Sequence, residues 1–342
     1  MNSSELYGVL AEYQQRAAAT LPPEIWHYLE HGAGAGHSLR ANLQAFAQTP
    51  LLPRVLAQVG GGGTALNLCG QRLAHPLLLA PIAYQALFHP EAESASAQAA
   101  QAQDALMIVS SLASRRFQEI AASGVQWWFQ LYWQASRQAS LALLQRAIDA
   151  GCSAVVLTVD APVKQAQLQL PPHVRAVNLE AAPDPHLMAG QSMVFDGWMR
   201  QAPDWQDLAW LRQQCQLPLL LKGVLHPDDA AQAQALGVDG VIVSNHGGRV
   251  LDGTPSPLAM LPPIRSRVGP AFPVLLDSGV RSGQDALKAI LAGANAVLLG
   301  RPYIWALAAQ GALGVAHVLR VLRDELEMSM ALCGMARLAA PD

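Results

Sequence analysis

The sequence contains few charged residues and very few lysines. Asp, Glu, Lys and Arg make up 14% of the 342 residues, and the formal net charge at pH 7 is −3. Such a chain offers no basic surface of the kind that binds nucleic acid. The only lysines are Lys164, Lys222 and Lys288, so a lysine that ends an apolar run, as in PLLLK, requires a specific explanation.

Cysteine is scarce as well. The four cysteines are far apart and form no CxxC pair, which argues against a zinc site and against a disulfide framework. This usage fits a reducing cytosol. The N-terminus has no cationic region followed by an apolar one, so no signal peptide is predicted.

Apolar residues, in contrast, account for 51% of the chain. Some of them form eight short runs. Nearly every run has polar residues at its end, and the runs are separated by helical patterns such as RQASLALLQRAIDAG. The runs are LLLAP (to Pro81), LMIVSS (to Ser111), WWFQLY (to Tyr132), AVVLTVD (to Asp160), PLLLK (to Lys222), GVIVSNH (to His246), PVLLDSG (to Gly279) and AVLLGR (to Arg301). Continuous rather than alternating hydrophobicity is typical of parallel strands buried on both faces.

Eight strand–helix units predict an α/β fold, specifically a (β/α)8 TIM barrel. An open doubly wound sheet is the alternative, although no GxGxxG follows the first run. We expect residues 1–72 to form a helical segment that packs on a barrel of residues 73–342. The longest gap between runs, at about 163–217 after the fourth strand, is rich in Pro and predicts a lid-like insertion.

Two uncharged stretches, 73–90 and 302–319, approach the length of a membrane-spanning helix. Both contain His, Gln, Pro or Gly, which a spanning helix resists. We therefore predict that both are buried in the barrel, and that the protein is cytoplasmic and does not bind membranes.

Polar residues at the ends of the runs form the candidate site, because the carboxyl ends of barrel strands meet at one mouth. A single Asp or Ser there is more often a helix N-cap, and a lone His or Lys is more often structural. Nearly every run ends this way, however, which favours a functional site. The strand-end residues are Ser110, Gln130, Tyr132, Thr158, Asp160, Lys222, Ser244, His246, Asp277 and Arg301.

The last two runs lead into DSGVRSG (277–283) and GRP (300–302). Glycines allow backbone N–H groups to approach a phosphate closely, and Arg281 and Arg301 supply positive charge. The alternative is that these are turn glycines and surface arginines.

Taken in order, these motifs resemble the FMN-dependent 2-hydroxy-acid oxidase and dehydrogenase family, which includes glycolate oxidase, lactate oxidase and mandelate dehydrogenase. SNHGGRVLD is similar to the family's active-site signature, and FQLY, LTVDAP, LKGV and DSGVRSG…GRP occur in the family's order. The resemblance extends from LPPEIWHYLEHGA to RDELEMSMALCG. It implies oxidation of an (S)-2-hydroxy acid to the 2-oxo acid, with electrons passed to O₂, giving H₂O₂, or to another carrier. It also suggests a homotetramer.

The resemblance further implies a role for each residue that handles the substrate. His246 would be the base that removes a proton from C2 or its hydroxyl, and Asp160 would stabilise the protonated imidazole. Arg249 would hold the substrate carboxylate. Tyr132, and Tyr28 from the N-terminal segment, would form hydrogen bonds with the substrate.

The FMN site is implied in the same way. Lys222 would lie near the N1–O2 edge of the flavin and favour its anionic reduced form. The other implied ligands are Pro81, Ile82, Ala83, Ser110, Gln130, Thr158 and Ser244 for the ring and ribityl chain, Asp277 for the ribityl hydroxyls, and Gly279, Arg281, Gly300 and Arg301 for the phosphate.

Physical chemistry supports these roles independently. A 2-hydroxy acid is an anion, and the planar guanidinium of Arg249 matches a carboxylate. Its oxidation removes two electrons and two protons, which requires a cofactor and a base. A carboxylate beside an imidazole raises its proton affinity, so the SNHGGR turn supplies a base and an anion anchor together.

The chain departs from the family pattern after the fourth strand. The family reads P-x-x-G-x-R, where the arginine is a second carboxylate ligand, but this chain has Gln167 at that position. Gln donates a neutral hydrogen bond, worth about 1 kcal/mol against roughly 1.5–3 for a charged one. Substrate binding would be weaker unless Arg175 folds back, or the substrate would differ at that end. An FMN-binding barrel with little turnover, acting as a partner or sensor, is therefore an alternative function.

Two further positions bear on specificity. Some oxidases of the family carry Trp where Leu112 stands, and the smaller Leu112 leaves room for a larger substrate side chain. Tyr84 is expected to line the same pocket, so an aromatic or long-chain acid is predicted, with plain packing as the alternative. A third possibility, an isomerase that uses reduced flavin on a phosphorylated substrate, is disfavoured by the SNHGGR turn.

Overall fold

The computed structural model describes residues 8–162, 168–179, 187–188 and 190–338. Three helices open the chain: α1 (Val9–Thr20), α2 (Pro23–Glu30) and α3 (His37–Gln48). An antiparallel hairpin of β1 (Leu66–Leu68) and β2 (Gln71–Leu73) follows them.

Eight parallel strands then close into a barrel in the order of the sequence, with the last strand paired to the first. Seven strands lie within the predicted apolar runs, and the strand that contains PLLLK continues two residues beyond Lys222. The predicted (β/α)8 barrel is therefore confirmed. The strands are β3 (Leu77–Leu79), β4 (Met107–Ser110), β5 (Trp127–Tyr132), β6 (Val155–Thr158), β7 (Leu219–Val224), β8 (Gly240–Val243), β9 (Val274–Leu276) and β10 (Ala296–Leu299).

Helices follow the strands and cover the outside of the barrel. They are α4 (Ala92–Ala102), α5 (Phe117–Ala121), α6 (Arg137–Asp149), α7 (Trp205–Gln214), α8 (Pro227–Ala235), α9 (Pro257–Val268), α10 (Gly283–Leu291) and α11 (Arg301–Leu332). Side chains of Ser136, Asp204, Ser256 and Ser282 cap the N-termini of four of them. The predicted insertion of 163–217 includes α7, which is the regular barrel helix between β6 and β7, so the irregular part ends before Trp205.

The apolar runs are continuous because alternate residues of each strand pack on two different cores. One core lies between the strands and the helices. The other fills the barrel and includes Leu78, Ile108, Trp128, Val156, Leu220, Ile242, Leu275 and Leu298, all at most 1% exposed. The β1–β2 hairpin closes the lower end, where Gln71 accepts a hydrogen bond from the indole N–H of Trp128 (3.1 Å). The opposite end of the barrel is therefore the one left for a site.

Helix α11 is, among the described helices, the one long and apolar enough to cross a membrane by length and composition. Its most apolar stretch has a mean hydropathy of 1.4, and 61% of that stretch is buried in the structure. The helix is broken at Gln310 and Gly311, which have non-helical backbone angles. The other stretch of membrane length, 73–90, forms β3 and an irregular loop rather than a long helix.

Candidate active site

Strand pairing brings the predicted polar residues to one rim of the barrel. Ser110 lies opposite Gln130 on the neighbouring strand. Thr158 lies between Tyr132 on one side and Lys222 on the other. The C-terminal ends of β4 to β7 therefore present a continuous row of polar side chains to the mouth.

His246 is the centre of this rim. It lies in the turn after β8 with a positive φ of 58°, and its backbone N–H donates to Ser244 Oγ (3.0 Å). Its Nδ1 lies 3.0 Å from Oδ1 of Asp160, and its Nε2 lies 3.3 Å from the hydroxyl of Tyr132. A carboxylate can only accept, so the proton belongs on Nδ1 and Nε2 is left as the acceptor that faces the mouth.

The electrostatics of Asp160 favour its ionised form. Burial raises the pKa of this carboxyl, but His246 and Lys222 lower it by more, and the net pKa lies below the ordinary value of 3.8. Its second oxygen, Oδ2, is buried and has no hydrogen-bond partner among the described residues. Asp160 is thus a carboxylate that can stabilise a positive charge on His246. Tyr132, in contrast, stays a phenol, because burial raises its pKa well above the usual range.

Lys222 is the second charged group of the rim and is only 3% exposed. Its Nζ forms an ion pair with Asp277 (3.0 Å) and donates to Ser244 Oγ (2.9 Å). Burial lowers the pKa of Lys222, but Asp277 and then Asp160 raise it, so the net pKa lies above the ordinary 10.5. The ammonium group is therefore a permanent positive charge beneath the mouth.

Arg249 extends from the same turn toward the C-terminal end of α2. Its Nη1 donates to the backbone oxygens of Tyr28 (2.7 Å), Leu29 (3.2 Å) and His31 (3.3 Å). The guanidinium also lies over the Tyr28 ring, 4.9 Å from its centroid. Nε and Nη2 have no hydrogen-bond partner among the described residues. The guanidinium is therefore anchored through Nη1, and the edge formed by Nε and Nη2 can bind a carboxylate.

Arg301 lies near both Arg249 and Arg281. Arg301 donates from Nε to the Leu29 oxygen (2.9 Å), and Arg281 lies over the Trp305 ring at 5.1 Å. Burial lowers the pKa of Arg301 to about 9, and the charges of Arg249 and Arg281 contribute to this lowering. A buried guanidinium with two like charges nearby makes this region favourable for an anion.

The described residues fit a flavin with a phosphate at this mouth. Gln130 Nε2 and Thr158 Oγ1 are buried without hydrogen-bond partners, whereas Gln130 Oε1 accepts from Ser110 Oγ (3.0 Å). Buried polar atoms normally have partners, and the polar edge of a flavin ring would supply partners for these two atoms. Helix α11 begins after Gly300 without a side-chain cap, so its first N–H groups are available to an anion.

The loop after β3 carries the remaining predicted residues. Pro81, Ile82 and Ala83 are partly exposed at the mouth. Tyr84 has a left-handed backbone (φ 54°) and its N–H donates to the Leu112 oxygen (3.0 Å). Tyr84 and Leu112 are thus fixed next to each other on two adjacent loops, as expected for two walls of one pocket.

The predicted phosphate residue Gly279 also has a packing role. Gly279 has a φ of +104°, and a Cβ there would lie 2.7 Å from the Asn42 oxygen. Its lack of a side chain is therefore also required for the packing of α3. Gln167 lies outside the described residues, and Arg175 is exposed on the segment 168–179.

The sequence reasoning missed the residues that support the catalytic turn. The side-chain amides of Asn42 and Asn245 donate to each other (2.8 Å each) and are buried, which ties α3 to this turn. Ser278 donates to Asp277 (2.7 Å) and accepts from the N–H of Gly247 (2.9 Å). Asn245 and Ser278 are each adjacent in sequence to a predicted site residue, which is the one signal that pointed to them.

The barrel and the mouth together define a flavin-dependent oxidoreductase that acts on a small anion. Comparison with known proteins agrees. The profile of the family described as FMN-dependent dehydrogenase matches residues 17–342. An L-lactate oxidase of Alicycliphilus denitrificans is 49% identical over 96% of this chain and 93% of its own length. A 4-hydroxymandelate oxidase of Amycolatopsis orientalis is 42% identical over 98% and 96%.

A solved structure of mandelate oxidase with (S)-2-phenylpropionate is 40% identical and has a TM-score of 0.88, covering 96% of this chain and 95% of that one. The chain belongs to the FMN-dependent dehydrogenase family. It is an FMN-dependent enzyme that oxidises 2-hydroxy acids at the CH–OH group. The resemblance predicted from the motifs is confirmed, and the alternative of a sensor with little turnover is not supported.

Proposed function

We propose that His246 is the base of this oxidation and that its Nε2 receives the proton removed from the substrate. The arrangement Asp160–His246–Tyr132 is the observation that carries this assignment. Asp160 fixes the proton on Nδ1 and its negative charge stabilises the imidazolium that forms. Tyr132, held as a phenol 3.3 Å from Nε2, donates to the substrate oxygen and orients it toward the base.

The substrate carboxylate is bound by Arg249 in this proposal. The side chain is anchored through Nη1 to α2, so Nε and Nη2 are presented as a preoriented pair of donors. Tyr28 lies against the same guanidinium and completes the carboxylate site. The N-terminal segment therefore contributes directly to substrate binding.

FMN, when bound, accepts the two electrons of the reaction. We assign its ring to the rim formed by Ser110, Gln130 and Thr158, because two of these side chains have unsatisfied buried atoms. Lys222 supplies a fixed positive charge beside it, which stabilises added negative charge. We assign the phosphate to Arg281, Arg301 and the uncapped N-terminus of α11. Asp277 would bind the hydroxyls of the ribityl chain, which joins the ring to the phosphate.

The acid itself is inferred from the relatives and from the pocket. The L-lactate oxidase is the more similar of the two named oxidases, and the 4-hydroxymandelate oxidase shows what this family can accommodate. We propose (S)-lactate as the principal substrate, with aromatic acids accepted beside Leu112, and O₂ as the electron acceptor. We also propose a homotetramer, on the basis of the family resemblance, and a cytoplasmic location, on the basis of the cysteine usage.

Anaerobic mixing of the yellow enzyme with each acid tests this function. (S)-Lactate should bleach the flavin absorbance fastest, (S)-mandelate more slowly, and admission of O₂ should restore the colour with formation of H₂O₂. His246→Ala should retain FMN, and its rate constant of flavin bleaching should be at least a hundred-fold lower than that of the wild type. If His246→Ala is bleached as fast as the wild type, the assignment of the base is wrong. Light scattering on the wild-type protein measures the number of subunits and tests the proposed homotetramer.

A further inference from the structure

Glu30 is a carboxylate placed directly beside the arginines of the mouth. It is the last residue of α2, and its side chain is 21% exposed. Oε1 accepts a hydrogen bond from the indole N–H of Trp305 (2.7 Å), and Oε2 accepts one from the amide of Gln14 (3.1 Å). Oε1 also lies 4.0 Å from Nε of Arg301. Glu30 is therefore held in one position by α1 and α11.

This position is electrostatically unusual. The C-terminal end of a helix carries partial negative charge, which disfavours a carboxylate. The backbone oxygens of Leu29, Glu30 and His31 already face Arg301 there. Glu30 adds a full negative charge to the same place, so it must be stabilised by the cations around it.

Arg301 and Arg281 are the cations that interact with the negative charge of Glu30. Glu30 attracts both, and Asp285 also attracts Arg281. Arg249 and Arg281 both repel Arg301. Without another anion, Glu30 is therefore the carboxylate that partly neutralises the group around Arg301.

We propose that Glu30 is an internal counter-ion that competes with the flavin phosphate for Arg301 and so weakens the binding of FMN. The inference depends on the phosphate site proposed above, at Arg281, Arg301 and the start of α11. A phosphate dianion brought to Arg301 lies near the charge of Glu30 and is repelled by it. The same charge stabilises the arginines when no phosphate is bound.

The measurement compares two flavins that differ only in the phosphate. Apoprotein is titrated with FMN and with riboflavin, and the dissociation constants are read from the quenching of flavin fluorescence. Glu30→Gln should bind FMN about ten-fold more tightly, which corresponds to about 1.4 kcal/mol, and riboflavin equally well. The amide oxygen can still accept from Trp305, and Gln14 can rotate its amide to pair with the new NH₂ group.

A second readout follows from the loss of the counter-ion. The apoprotein of Glu30→Gln should melt at a lower temperature than the wild type, whereas saturating FMN should remove the difference. Glu24→Gln, at the exposed start of the same helix, is the matched control and should change neither affinity.

Three results overturn the proposal. Weaker binding of FMN by Glu30→Gln means that Glu30 positions Arg301 for the phosphate. An equal change for FMN and riboflavin means that the effect is structural. If the wild-type protein binds riboflavin as tightly as FMN, the proposed phosphate site itself is wrong, and this failure is recognised before any variant is made.

Discussion

Gly223 and Asp160 are in contact where β7 passes the end of β6. A Cβ at position 223 would overlap the side chain of Asp160 and would lie 2.9 Å from its backbone nitrogen. Real Cβ atoms do not approach other atoms so closely, and the backbone φ of +104° also favours glycine. The glycine that follows Lys222 therefore allows Asp160 to lie beside His246.

Gly223→Ala is expected to damage both stability and activity. The positive φ costs about 1 kcal/mol, and the overlap with Asp160 raises the total to about 3 kcal/mol or more. Gly151→Ala is the matched control, since Gly151 has a φ of +92° and an added methyl group there would meet nothing within 4 Å. Urea unfolding and the rate of flavin reduction are measured for both. Equal losses in the two variants would contradict the contact argument.

Asp160→Asn is expected to retain FMN and to lower the rate constant of flavin reduction by roughly a hundred-fold or more. The amide can still accept from His246 Nδ1, but it no longer supplies the charge that stabilises the imidazolium. Asp324→Asn, in a surface pair with Arg320 (2.9 Å), removes one carboxylate without touching the mouth. A small effect at Asp160 would show that the charge is not required.

Asp277→Asn is expected to make the free energy of unfolding depend on pH between neutral pH and about pH 10. The pKa of Lys222 is raised in the folded protein, so the stability that its charge contributes is fully present below 10.5 and is lost only as the pH rises through that raised value. Removal of Asp277 leaves the burial of Lys222, which lowers its pKa, and costs about 3 kcal/mol.

Urea unfolding of both proteins checks this expectation between neutral pH and about pH 10. The free energy of unfolding of Asp277→Asn should rise relative to the wild type over that interval, because the buried Lys222 of the folded variant loses its proton at a lower pH than the lysine of the unfolded chain. A constant difference between the two proteins would mean that the lysine remains charged without its partner.

Glu93 connects the two loops that carry Tyr84 and Leu112. It is fully buried, and its Oε1 accepts from the backbone N–H of Gln85 (3.1 Å) and of Ser114 (2.9 Å). Glu93→Ala leaves both N–H groups without an acceptor, at about 1–3 kcal/mol each.

We expect Glu93→Ala to raise KM for mandelate more than for lactate, since the larger side chain contacts more of the loosened wall. Glu93→Gln retains an acceptor oxygen and should restore most of the difference. Glu91→Ala, at a side chain that is 62% exposed, is the control. An equal rise of KM for both acids would leave Glu93 with a structural role only.

Gln167→Arg is expected to lower KM for a 2-hydroxy acid about ten-fold, because a charged donor replaces a neutral one. Gln167 lies outside the described residues, so this prediction comes from the sequence motif. Gln169→Arg, at an exposed position two residues away, adds the same charge to the same loop. Similar effects of both substitutions would indicate general attraction of the anion rather than a direct contact.

The barrel could be predicted from the sequence because each strand is buried on both faces, so its apolar run is unbroken and its end is marked by a polar residue. The residues at those ends, such as Asp160 and His246, could be predicted for the same reason. The contribution of Glu93 could not, because a carboxylate within an Ala-rich helix has no local pattern that reveals two distant N–H groups. Nor could the pairing of Asn42 with Asn245, since the two are joined by tertiary packing across 203 positions.

That amide pair also sets a condition for protein design. Because α3 is bonded to the turn that carries His246, grafting this turn alone onto another eight-stranded scaffold would leave the amide of Asn245 without its partner. A transplanted reaction centre needs the first helices of the donor as well, and a library that shuffles N-terminal segments among such enzymes should keep positions 42 and 245 from the same parent.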